Sequence, residues 1–162
     1  MSRRTLEKSS KEYFEEIASN PSYTKDRNHL VSHAGYDPKE VSPITDHVSI
    51  TAHDGVMDAI VDMNYVINVT QDLESIAQLT IGVEPYAKDI EDNLDLIALA
   101  IHQKVQRDWK VTVHCAMGME RSCLAVAWYL SKFGGMSLDR AYEVVRRGRP
   151  IAIDRRSYLE QG

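Results

Sequence analysis

Apolar residues recur along this chain with two periods, and the alternation between them lays out its elements. Over 5–19, Leu6, Tyr13, Phe14 and Ile17 fall on one helical face among Lys and Glu, and Asn20-Pro21 closes the helix. Residues 21–43 are polar and lack a clear period, which predicts extended loop wrapping the domain. "HVSIT" (47–51) reads as a short strand, and "DGVMDAIVDMN" (54–64) as a helix capped by Asp54. "YVINVT" (65–70) is β-branched and nearly all apolar, which suits a strand buried on both faces. "QLTIGV" (78–83) is a further strand candidate. The clearest helix is 89–107, where Ile90, Leu94, Ile97, Ala98, Ile101 and Val105 share a face, with acids in the first turn and Lys104 and Arg107 in the last.

"KVTVHC" (110–115) then reads as the central strand. Residues 122–133 are apolar almost all round, which predicts a buried helix stopped by Gly134-Gly135. Ser137 caps the next helix, which ends before Gly148 and Pro150, and a last short helix covers 154–161. Strands and helices alternate without repeats, so the expected fold is a single α/β domain. Its central sheet is mixed, mostly parallel, with helices on both faces. The domain proper should span 42–162, with residues 1–41 packed on it as an N-terminal helix and extended loop.

Composition narrows the function. With 162 residues, 43% of them hydrophobic and 27% charged, the chain can bury a sizeable core. The net charge of -5 argues against nucleic acid and anionic membranes as partners. The first twenty residues are charged throughout and do not resemble a signal peptide. Two cysteines with no export signal suggest reduced thiols in a cytoplasmic compartment. Six histidines and two cysteines show no metal-ligand spacing, so neither a metal nor another cofactor is expected.

The candidate chemistry lies in "VHCAMGMERS", between the central strand and the buried helix. A strand ending in a turn that feeds a helix N-terminus offers backbone N–H groups to an anion. Gly118 lets such a loop curl, and Arg121 can fold its planar fork over a bound oxyanion, which a lysine cannot. The same field favours the thiolate of Cys115, the form that attacks. One loop therefore supplies a nucleophile and a phosphate-shaped cradle, suited to attack of sulfur on phosphorus. Ser122 is placed to hydrogen-bond the Cys115 sulfur and make it a better leaving group.

This loop resembles the His-Cys-x5-Arg-Ser/Thr signature of the cysteine-dependent protein phosphatases. The chain around it, from "SPITDHVSI" through "YVINVT" to "GMSLDRAYEVVRRGRPIAIDRRSYLEQ", is similar to the small dual-specificity branch. The resemblance implies that Cys115 forms a phosphocysteine, that Arg121 clamps the phosphate, and that Ala116, Met117, Gly118, Met119 and Glu120 form the amide cradle. It also implies that His114 supports the cysteine through the backbone. The family's general acid is an aspartate on a loop upstream of the long helix. The matching position here holds Glu84, with Asp89 and Asp92 as alternatives. Seven acids against one lysine across 72–95 would help keep one carboxyl protonated.

The expected partner is a phosphorylated protein, carrying phosphotyrosine and also phosphoserine or phosphothreonine, since the short chain has little room for pocket-deepening loops. The alternatives are a phosphate-binding module without turnover, or the same chemistry on an RNA end, inositol or glycan phosphate. Glu120 in the cradle weighs against very highly charged ligands. Cys123 reads as a small buried apolar group, with a reversible disulfide to Cys115 as the rival. Five arginines (146, 147, 149, 155, 156) meet only Asp154 between 146 and 156 and read mostly as solvated surface, Arg149 excepted because the family has arginine there.

Overall fold

The computed structural model of the protein describes residues 8–23 and 26–160. Helix α1 spans Ser10–Ser19, and its start is fixed by a capping box in which the Ser9 hydroxyl and the Glu12 carboxylate each satisfy the other's backbone N–H. Phe14 and Ala18 are its buried apolar residues, while Leu6 lies outside the described residues. A second helix, α2 (Arg27–Ser32), stands where extended loop was expected. At six residues, with only Leu30 buried, it is too short to show a helical period in the sequence.

Five strands form one sheet: β1 (Ser42–Pro43), β2 (Val48–Thr51), β3 (Tyr65–Asn68), β4 (Leu79–Thr80) and β5 (Val111–His114). Their order is β1-β2-β5-β3-β4, antiparallel for β1 on β2 and parallel elsewhere, so β5 is central as expected. Register sorts the side chains onto two faces. Val48, Val111 and Tyr65 align, as do Ile50, Val113 and Ile67. This face packs on helices α4 (Ile90–Gln106), α5 (Arg121–Gly134) and α6 (Leu138–Gly148) through Leu94, Ile97, Ile101, Leu124, Val126 and Val145. On the opposite face Val66 packs on Val56 and Ala59 of the short helix α3 (Val56–Val61). Helices therefore cover both faces.

Local differences from the sequence reading have simple causes. Asp54 does not cap α3; its carboxylate accepts from the Ser10 backbone N–H at 2.5 Å, and a 3-10 turn (His53–Gly55) precedes that helix. The expected strand over 78–83 has regular strand form only at Leu79–Thr80, but Gln78, Ile81 and Val83 also donate to the Val66, Asn68 and Val69 carbonyls, so the whole segment lies along the sheet edge. The C-terminal segment is a 3-10 turn (Arg156–Leu159) in place of a helix over 154–161, whose last residue lies outside the described ones. Ser137 accepts from the Arg140 N–H, and Gly135 takes a left-handed φ of 69° that ends α5. Among the described residues, no helix is long and apolar enough to cross a membrane.

Candidate active site

At the carboxyl end of the parallel strands, Thr51, His114 and Asn68 align side by side, each at most 1% exposed. Polar side chains this deep need partners, and theirs are the loops around residue 115. Thr51 donates to the Lys39 and Glu40 carbonyls. Asn68 binds the Leu73 carbonyl and the Thr70 N–H. His114 Nδ1 lies 3.0 Å from the Cys115 carbonyl and Nε2 lies 2.8 Å from the Ser75 hydroxyl. Since a carbonyl only accepts, Nδ1 carries the proton and Nε2 accepts from Ser75. Burial lowers the His114 pKa to about 4, so the ring is neutral near pH 7.

The loop after β5 is held from outside by its carbonyls. Cys115 O takes the His114 ring and Ala116 O takes the His53 N–H at 3.0 Å. Met117 O accepts from Arg149 Nη2 at 3.2 Å. Gly118 O accepts from Arg149 Nε at 2.6 Å and from the Cys123 thiol at 3.4 Å. Met119 O accepts from the Ile153 N–H at 2.8 Å, and Glu120 O from the Leu124 N–H at 2.9 Å. Each carbonyl from Cys115 to Glu120 is engaged in this way, which suits a loop whose N–H groups serve an anion. Gly118 has φ +68°, and a Cβ there would sit 2.5 Å from Arg149 Nη2 and 2.8 Å from the Thr51 carbonyl.

Within this frame Cys115 is 4% exposed, with its sulfur 3.2 Å from the Ser122 hydroxyl in the first turn of α5. Arg121 opens α5 and donates from Nη1 to Asp72 Oδ1 at 3.3 Å, across the mouth of the loop. Cys123 is fully buried, and burial pushes its thiol pKa up, which keeps it a donor to Gly118. Both cysteines are free.

Glu120 lies in the loop, but its carboxylate is bound by Arg155 Nε at 2.6 Å and by the Tyr158 hydroxyl at 3.1 Å. Arg155 also pairs with Asp26 at 3.0 Å, and Arg156 pairs with Asp154 and Asp139. Arg149 is fully buried. Arg149 is thus the exception that was expected, whereas Arg155, tied to Asp26 and Glu120, and Arg156, paired at the surface, correct the reading of these arginines as solvated. Counting charges within 146–156 missed partners that the fold brings from elsewhere.

Glu84 sits half-buried on the turn after β4. That turn is fixed by the Tyr86 N–H donating to the Tyr158 carbonyl at 2.9 Å and by edge contact of the two rings at 5.9 Å. Asp89 precedes α4 without a side-chain cap bond, and Asp92 is exposed in that helix's first turn. Asp72, Ser75, His53 and Ile153 were not singled out from the sequence. The only signal for them is position, just after β2 and β3 or in the tail, where chain direction brings loops to one end of a parallel sheet.

The N-terminal segment reaches this site. Phe14, Ala18 and Leu30 cluster with Met119, Ile151 and Ile153, and Met117 packs against that cluster. A cleft of about 280 Å³ opens beside the loop, lined by α1 residues together with His53, Leu73, Ala116 and Met117. A larger cleft of about 640 Å³, beyond His53 and Asp54 along Val56, Met57 and Glu74, touches no residue of the 115–121 loop. Among the described residues, no group of three His, Cys, Asp or Glu side chains is arranged to hold a metal ion.

A Cys-x5-Arg loop at the carboxyl end of the central strand of such a sheet defines the class, a cysteine-based protein phosphatase domain. The family described as "Dual specificity phosphatase, catalytic domain" matches residues 48–161, and the chain belongs to that family. Among curated proteins, mouse dual specificity phosphatase 28 is 32% identical over 78 residues, covering 48% of each protein. Human protein phosphatase Slingshot homolog 2 is 29% identical over 105 residues, 61% of this chain and 7% of that protein. The chain spans about half or less of the length of such relatives. Among solved structures, human DUSP28 superposes with a TM-score of 0.66 at 19% identity, over 76% of this chain and 88% of the other.

Proposed function

We propose that this domain hydrolyses phosphate monoesters on proteins, phosphotyrosine and also phosphoserine or phosphothreonine, through a phosphocysteine intermediate. The observation that carries this reading is the outward engagement of the carbonyls from Cys115 to Glu120, around a sulfur that touches Ser122. A loop pinned in this way offers preorganised donors where phosphoryl charge develops, at no cost of reorganisation during the reaction.

In the first step the Cys115 sulfur forms a bond to phosphorus as the bond to the substrate oxygen breaks. The 116–121 amides and the Arg121 fork hold the equatorial oxygens. Glu84 gives its proton to the leaving oxygen. In the second step Glu84, now a carboxylate, takes a proton from water as that water attacks phosphorus. The S–P bond breaks, inorganic phosphate departs, and the Ser122 hydroxyl donates to the departing thiolate.

The test is a pH–rate profile on a simple aryl phosphate with chelator present and Cys115→Ser as blank. Turnover that vanishes in the variant, while phosphate analogues still bind, is the expected result. Analogue binding without turnover by the native chain at any pH overturns the hydrolase reading and leaves a phosphate-binding module.

A further inference from the structure

Helix α1 lies before residue 48, outside the part of the chain that matches the family, yet it forms one wall of a cleft whose floor is the phosphate loop itself. Phe14 and Ala18 anchor the helix by burial against Leu30, Met119, Ile151 and Ile153. Asp54 fixes its first turn through the Ser10 N–H. That anchoring turns Tyr13 and Ile17, four residues apart and so on one side of the helix, toward Leu73 and Met117 across the cleft. Tyr13 remains 41% exposed there.

The polar groups of the walls are already engaged. Asp54 holds Ser10, His53 Nε2 is 2.8 Å from the Glu74 carbonyl, and Lys8 pairs with Glu16. Tyr13, Ile17, Leu73 and Met117 therefore set the character of the space, and that character is apolar. Its volume of about 280 Å³ is enough for one large side chain.

The floor begins at Ala116, one residue beyond the nucleophile. In an extended peptide residues advance by about 3.3 Å and alternate between faces, so side chains two residues apart point the same way. An extended substrate whose phosphorylated residue sits over Cys115 thus presents the side chain two residues away on the same face, toward the cleft. We propose that α1 and Leu73 form a subsite that selects a large apolar or aromatic side chain two residues from the phosphorylated residue. This inference rests on the phosphoprotein reading above. It assigns the N-terminal segment a role in specificity in addition to packing.

The experiment compares kcat/KM on matched phosphotyrosine peptides that carry Ala, Leu or Phe two residues before or two residues after the phosphorylated residue. Burying such a side chain favours Leu and Phe over Ala by about tenfold at one of the two positions. Tyr13→Ala and Ile17→Ala each shrink that preference severalfold. Tyr13 is partly exposed, so its variant keeps the test available if Ile17→Ala does not fold. Equal rates for the three peptides with the native chain overturn the subsite while leaving phosphatase activity standing. So does a preference that survives both substitutions. No turnover of any peptide or of an aryl phosphate instead overturns the underlying reading, and this subsite with it.

Discussion

Arg149 Nε and the Gly118 carbonyl meet at 2.6 Å across 31 residues of sequence. The same guanidinium donates to the carbonyls of Pro38, Glu40, Ile50 and Met117 and to the Ser42 hydroxyl. All of these acceptors are neutral. Burial lowers the arginine's pKa from its ordinary value, and this cage of acceptors compensates the buried charge. One side chain thereby ties the 38–42 segment, the end of β2 and the 115–121 loop together. Arg149→Met leaves several buried acceptors unsatisfied and should destabilise the fold by about 3 kcal/mol or more. A shift of the urea midpoint corresponding to under ~1 kcal/mol would show that water replaces the guanidinium.

Arg121 is the clamp in the proposed mechanism, and its Nη1 donates to Asp72 Oδ1. Arg121→Lys loses the two-pronged contact and should lower kcat by about a hundredfold or more. Asp72 is largely exposed, and exposed pairs are worth at most about 1 kcal/mol. Asp72→Ala should therefore raise phosphate affinity by no more than about fivefold, because a competing carboxylate has gone. The gain should fade at high salt. A marked fall in affinity would instead make Asp72 the group that holds the Arg121 side chain in position.

Glu84→Gln removes the proposed proton donor. Its effect should be largest on substrates with poor leaving groups, such as alkyl phosphates, and smallest on activated aryl phosphates, which need little protonation. Rates across a leaving-group series measure this. A uniform loss over the series would move the acid elsewhere, and Asp72→Asn is then the variant to compare.

The parallel sheet and the loop were legible because each left a local signature. β-Branched runs mark β3 and β5, and the run from His114 to Ser122 contains the proposed nucleophile, the glycine turn and the proposed clamp within nine residues. What was not legible depends on contacts distant in sequence. Arg155 reads as surface until the fold brings Asp26 and Glu120 to it, and Asp54 reads as a helix cap until α1 offers the Ser10 N–H. Helix α2 is one and a half turns with a single buried residue, so its period cannot emerge from its six positions. Ser75 carries no motif at all; its role comes from the tautomer that the Cys115 carbonyl imposes on His114.

That tautomer gives a prediction on acid stability. His114 titrates near its ordinary 6.5 in the unfolded chain, and burial lowers this to about 4 in the fold. Between those values the unfolded state binds the extra proton, so stability rises with pH through the window. The contribution is fully present above about pH 6.5 and is lost as pH falls toward and through the folded value. Its size is on the order of 3 kcal/mol. Protonating Nε2 would also set an N–H against the Ser75 hydroxyl, force it to turn, and loosen the 70–75 loop that carries Asp72 and Leu73. An NMR titration of the His114 ring should show no charging until the pH approaches 4, with urea stability declining over the same range. A His114 midpoint near 6.5 in the folded protein would mean that water reaches the ring, and the acid-labile link between the sheet and the 115–121 loop would not exist.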